Sequence, residues 1–124
     1  MYDIKNKEVI LPSLSFVTTA HAIIYNGGIP VFVDVEPKTL CIDPNDISRL
    51  ITNKTKAIIT VSLQGLSVDM DPILELAKEK NIVVIDDSAQ NILGEYKGRV
   101  AGTLADISVL SFENKKHMTS GSEG

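Results

Sequence analysis

The stretch TKAIITVSLQGLSVDMDPILELAKEKNIVVIDDSAQ, residues 55–90, decides the fold. Lys56–Val61 is apolar and β-branched, and reads as a buried strand. Ser62–Asp71 is a loop built around Gly65. Asp71-Pro72 then predicts a capped helix start, because proline lacks only an amide that the first turn leaves unpaired anyway. The helix is expected over Pro72–Lys80, with Ile73, Leu74 and Ala77 on its apolar face. Asn81 closes it, and Ile82–Ile85 (IVVI) forms the next strand. A strand, a helix of about ten residues and a second apolar strand make a crossover unit, which puts the two strands parallel.

The same alternation runs outward in both directions. Upstream, Glu8–Leu11 reads as a short buried strand stopped by Pro12. A polar turn, Ser13–Ser15, contains a candidate helix cap. A helix follows over Phe16–Tyr25, with Phe16, Ala20, Ile23 and Ile24 at helical spacing, and Asn26-Gly27-Gly28 ends it. Ile29–Val35 is the second strand, with Pro30 near its start. A turn-rich link then includes extended residues near Cys41. Asp43 caps a helix over Pro44–Ile51 that turns Ile47, Leu50 and Ile51 inward. Downstream, Glu95–Arg99 predicts a hairpin turning at Gly98. Ile107–Leu110 carries the pattern of a last buried strand. Beyond it lie Ser111-Phe112, the adjacent Lys115 and Lys116, and a Gly/Ser-rich end. The expectation is an α/β fold: three α/β/α layers around a mostly parallel sheet covered on both faces.

Composition narrows the possible roles. The 124 residues suit one domain, and the net charge of −4 offers no electrostatic support for nucleic-acid binding. Charges of both signs are mixed along the chain. Cys41 is alone, so an intrachain disulfide and a Cys-rich metal site are excluded; a reducing cytosol fits. No apolar run reaches membrane-spanning length, and the first ten residues hold no signal-type apolar core. His21 and His117 lack ligand spacing to each other or to Cys41, which argues against zinc.

In open α/β sheets ligands bind beyond the carboxyl ends of the strands. Several residues collect there. Asp87 at the end of IVVIDD either holds a protonated ring nitrogen, a Mg²⁺ or a phosphoryl group, or caps the turn Ser88–Asn91. Asp86 points the opposite way on an extended segment and is expected to make a structural hydrogen bond. Gln90, three residues on, either faces the same pocket as Asp87, if a helical turn follows, or is a polar surface residue. Phe16 is either core or a stacking platform. Ser111 supplies a hydroxyl. A lysine just after a buried strand can be desolvated, and its amine is then a nucleophile toward an aldehyde. An aromatic, an acid, an amide, a hydroxyl and a lysine together fit a flat cationic ring with a phosphate arm and an aldehyde, the parts of pyridoxal 5′-phosphate.

VIDDSAQN followed by SFENKKHMTSGSEG resembles the sugar aminotransferases of the DegT/DnrJ type, pyridoxal-phosphate enzymes of aspartate-aminotransferase-like fold. The segments EVILPSLSFVTTAHAIIYNGGIPVFVDVEPKTLCIDP, TKAIITVSLQGLSVDMDPILELAKEKNIVVIDDSAQ and YKGRVAGTLADISVLSF are similar to successive parts of the family's large domain, so the likeness covers essentially the whole chain. It implies that Lys116, four positions after the phenylalanine of Ser111-Phe112, is the Schiff-base lysine, and that Lys115 is a loop residue. It implies phosphate binding by Ser111, pairing of Asp87 with the ring nitrogen, a place for Gln90 near the cofactor ring, and Phe16 on the ring's opposite face. The activity implied is transfer of an amino group, from a donor that is usually L-glutamate in this family, to a nucleotide-linked keto-sugar by a cytosolic homodimer. Histidine replaces the lysine in a branch that removes a sugar 3-hydroxyl; lysine here favours transamination. On this likeness residues 1–124 are part of the cofactor-binding domain, cut at both ends, which puts activity of this chain alone in question. Ser62 stands where many members have histidine, and a serine is inserted before Glu123. A Mg²⁺-dependent phosphoacceptor receiver would share the Asp86-Asp87 pair and a late lysine, but its acidic pair follows the first strand. A non-catalytic remnant is the remaining alternative.

Overall fold

The structure, a computed structural model, describes residues 3–121. Its elements are β1 (Glu8–Pro12), α1 (Thr18–Tyr25), β2 (Ile29–Val33), α2 (Pro44–Leu50), β3 (Thr55–Val61), α3 (Met70–Lys80), β4 (Val83–Asp87), β5 (Glu95–Tyr96), β6 (Arg99–Val100) and β7 (Ile107–Val109). Five strands form one parallel sheet in the order β2-β1-β3-β4-β7, and β5 and β6 form a separate antiparallel hairpin. Pro30 falls in β2, an edge of this sheet, where a missing amide costs no ladder bond.

Strand alternation sorts the core into two layers. Ile10, Val33, Ile58 and Val84 face one side, under Ile47 of α2 and Ile73 and Ala77 of α3. Val9, Leu11, Ala57, Ile59 and Val61 face the other, under Ile23 of α1. The expected three-layer α/β/α arrangement is therefore present, with two helices on one face and one on the other.

Local chemistry explains the element ends. Asp43 caps α2 by accepting the Asn45 amide at 2.9 Å. Asn81 closes α3 in a left-handed conformation at φ 55°. The hairpin turns at Lys97 and Gly98, both at positive φ, as a tight two-residue turn requires. Val35 lies beyond β2 and pairs singly with Ile42, so the extended residues near Cys41 are present as one antiparallel bridge.

Several expectations are corrected. Helix α1 begins at Thr18, not Phe16, and no serine caps it; the Ser15 hydroxyl pairs with that of Thr19 at 2.7 Å. Ile24 points outward, because only Ile23 of the two reaches the sheet. Helix α3 begins at Met70, with Asp69 at the N-cap position. Asp71 therefore lies inside the first turn rather than at the cap, and its carboxylate meets Lys97 at 2.6 Å and Arg99 at 2.7 Å from the hairpin. Strand β4 runs on through Asp87. The last strand ends at Val109 and is not buried: Val109 is 47% exposed, since α1 covers β1 and β3 and does not extend over β7.

Candidate active site at the carboxyl edge of the sheet

A cleft of about 590 Å³ opens where β1, β3, β4 and β7 end. That size lies within the roughly 300–1,000 Å³ typical of small-molecule sites. Phe16, Asp87, Gln90, Ser111 and Lys116 all line it, together with Val61, Val109 and Glu113. Five residues spread over a hundred positions thus meet at one place. Parallel pairing causes this: Val61, Asp87 and Val109 are register partners across β3, β4 and β7, so the segments after them emerge side by side.

Asp87 ends β4 on the α1 side of the sheet. Its Oδ1 accepts the Ala89 amide at 3.0 Å. The turn that follows does not become a helix, so Asp87 is not a helix cap; it braces a tight bend and presents the rest of its carboxylate to the cleft. Asp86 faces the opposite side and is 2% exposed. It accepts Thr60 Oγ1 at 3.0 Å, Ser88 Oγ at 2.9 Å and the Gly102 amide at 3.1 Å. The expected structural hydrogen bond of Asp86 is a junction of three, tying β3, the bend and the loop that leads to β7.

Gln90 follows the bend, and its side-chain oxygen accepts the Gln64 amide at 2.9 Å. It reaches the cleft through this bend rather than along a helical turn. Asn91, buried, anchors the same segment by donating to Ser67 Oγ at 3.0 Å. Phe16 is 68% exposed and stands at the cleft rim. It belongs to neither core layer, so the reading of Phe16 as a core residue does not hold.

After β7 the chain folds into a compact loop. Lys116 donates its amide to Glu113 O at 2.9 Å, and the Ser120 amide reaches Phe112 O at 2.8 Å. Lys116 is half-buried while Lys115 is exposed, and both border the cleft. Ser111 Oγ accepts the Glu113 amide only at 3.4 Å, a long contact. Residues 122–124, including the serine before Glu123, lie outside the described residues.

Sequence reasoning missed Glu113 and Gln64. Glu113 lines the cleft and its Oε2 accepts the Lys115 amide at 3.1 Å. Its only signal was its place between Ser111 and Lys116. Gln64 sits at φ 52°, a left-handed backbone held by contacts from β4's bend, and no residue pattern announces it.

A parallel sheet with a carboxylate and a lysine converging at its carboxyl edge defines an α/β protein with a cofactor-sized site. Residues 2–124 match the DegT/DnrJ/EryC1/StrS aminotransferase family, and the chain belongs to that family. It is 45% identical over 117 residues to GDP-perosamine synthase of Escherichia coli O157:H7, covering 94% of this chain and 32% of that protein. Among solved structures it is similar to an aminotransferase from Psychrobacter cryohalolentis, with a TM-score of 0.91 and 40% identity over 94% of this chain and 30% of that one. It is also similar to NtdA from Bacillus subtilis with bound cofactor PMP, at a TM-score of 0.85 and 40% identity, covering 93% and 26% of the two chains. The chain therefore spans about a third of the length of the curated relatives it matches. The receiver reading does not survive the family match.

Proposed function

We propose that the protein is a pyridoxal-phosphate-dependent aminotransferase that moves an amino group from an amino-acid donor, L-glutamate by family resemblance, to a nucleotide-linked keto-sugar. The observation that carries this is the meeting of Phe16, Asp87, Gln90, Ser111 and Lys116 on one cleft. The names of the relatives, GDP-perosamine synthase first, support the substrate class.

The lining fits the cofactor. Phe16 offers an aromatic face for ring stacking. Asp87 offers a carboxylate fixed by the Ala89 amide, suited to keeping a ring nitrogen protonated. Ser111 offers a hydroxyl at the end of β7 for the phosphate. When bound, pyridoxal phosphate supplies an aldehyde for the amine and a ring that takes up electrons. Lys116 would hold the cofactor through its amine and, once the donor's amino group has displaced it, its freed Nζ would take the donor Cα proton and hand it back. Lysine at this position, with His117 after it, favours transamination over dehydration. The reading extends to a homodimer in the cytosol. Among the described residues no helix is long and apolar enough to cross a membrane.

The test is covalent trapping. Pyridoxal phosphate is added to the protein, borohydride follows, and peptides are mass-mapped. The adduct is expected on Lys116, absent in Lys116→Ala and retained in Lys115→Ala. An adduct spread evenly over surface lysines would overturn the assignment.

A further inference from the structure

A second hollow, of about 270 Å³, shares Gln90, Lys115 and Lys116 with the cleft. Gln64, Gln90, Lys115, Lys116 and His117 line it, with no carboxylate among them. The ion pairs among the described residues involve none of these side chains. The orientation of Gln90 is settled by chemistry. An amide N–H can only donate, so the Gln64 N–H held at 2.9 Å fixes the Gln90 oxygen toward Gln64. The Gln90 NH₂ is then the end of the amide not engaged by Gln64. The left-handed backbone of Gln64, at φ 52°, is what aims that N–H, and the following Gly65, at φ 82°, passes beside the Gln90 backbone. The side chains that border this small space are thus an ammonium-bearing Lys115, the His117 imidazole and two amides, beside the Lys116 stem.

We propose that this hollow is an oxyanion subsite for a reactant of Lys116. The inference rests on the aminotransferase reading, since it concerns what is held beside that amine. Ionised donors gain most from an ionised acceptor, and a lining of donors without carboxylates leaves neutral or cationic ligands unpaired. The occupying group is a compact oxyanion on the substrate. Its two chemical sources are the carboxylate of an amino-acid donor and the diphosphate of a nucleotide sugar. Lys116 borders both spaces, so an anion seated here fixes the reactant next to the nucleophile without occupying the place of the cofactor ring.

The test uses Gln64 and His117, which line the hollow and not the cleft. The ¹⁵N-labelled protein is titrated at constant ionic strength with inorganic phosphate, and separately with glutarate. Saturable shifts are expected at Gln64, at His117 and at the Gln90 side-chain amide. His117→Glu, which places a carboxylate in the hollow, is expected to weaken binding about tenfold or more. Tighter binding of phosphate points to the nucleotide diphosphate, and tighter binding of glutarate to the amino donor. Shifts that never saturate, or affinity unchanged in His117→Glu with the spectrum still dispersed, would sink the proposal. Trapping at Lys116 is read separately. An adduct without saturable shifts defeats the subsite alone, and shifts without an adduct defeat the aminotransferase reading alone.

Discussion

Asp86 and Asp87 are chain neighbours that face opposite sides of the same sheet. One is a buried junction of three hydrogen bonds, and the other opens onto the cleft. The pair divides the work of the β4 end: Asp86 holds the bend in place so that Asp87 is presented.

That division predicts opposite phenotypes. Asp86→Ala leaves Thr60, Ser88 and the Gly102 amide without their acceptor, and a cost of about 3 kcal/mol is expected from such orphaned donors. Asp87→Asn keeps an acceptor for the Ala89 amide and is expected to change stability by less than about 1 kcal/mol. It is also expected to weaken pyridoxal-phosphate retention strongly. Urea unfolding measured beside cofactor binding separates the two.

Phe16 adds little to folding because its ring is outside both core layers. Phe16→Ala is expected to shift stability by no more than about 0.5 kcal/mol. Loss of a stacked ring costs about 1 kcal/mol, so cofactor affinity should fall roughly fivefold. A large fall in the unfolding midpoint with unchanged cofactor affinity would show that the ring is structural.

The hairpin is held to α3 by charge, which makes it pH-dependent on both sides. The Asp71 carboxyl lies below its ordinary value of 3.8, chiefly through the hydrogen bond from Lys97, with Tyr96 and Arg99 adding to it. A lowered carboxyl contributes stability above its ordinary value and loses it as pH falls through the lowered one. Lys97 is raised above its ordinary 10.5, first by Asp71 and then by Tyr96. Its contribution is full below 10.5 and is lost only as pH climbs through the raised value. The stability difference between the protein and Asp71→Asn should therefore be flat near neutrality and shrink below about pH 4. Both groups are solvent-facing, so salt should shrink it too.

Burial ranks the helix positions. Ile73 is 0% exposed in α3, and Ile73→Ala should cost about 2–5 kcal/mol. Ile24 in α1 lies on the outside, and Ile24→Ala should cost no more than about 0.5 kcal/mol. Equal losses at the two positions would mean that α1 is turned differently about its axis.

The strand–helix alternation was legible from residues 55–90 because apolar runs, caps and prolines act locally. Asp43, Asn81 and Gly98 marked their turns for the same reason. Asp71 misled, since the helix begins before it at Met70, and the folded hairpin brings Lys97 and Arg99 to its carboxylate. Ile107, Val109 and Leu110 misled because an apolar pattern says that a strand can be buried, not that a neighbour covers it.

Local residue patterns specified most of the elements and the family, and singled out Phe16, Asp87, Gln90, Ser111 and Lys116 as candidates. Whether those five meet was decided by tertiary structure alone. Parallel register aligns Val61, Asp87 and Val109, and the contacts of Asp86, Asn91 and Gln64 bend the chain after them. Those are long-range hydrogen bonds between segments 24 or more residues apart, and no local pattern encodes them.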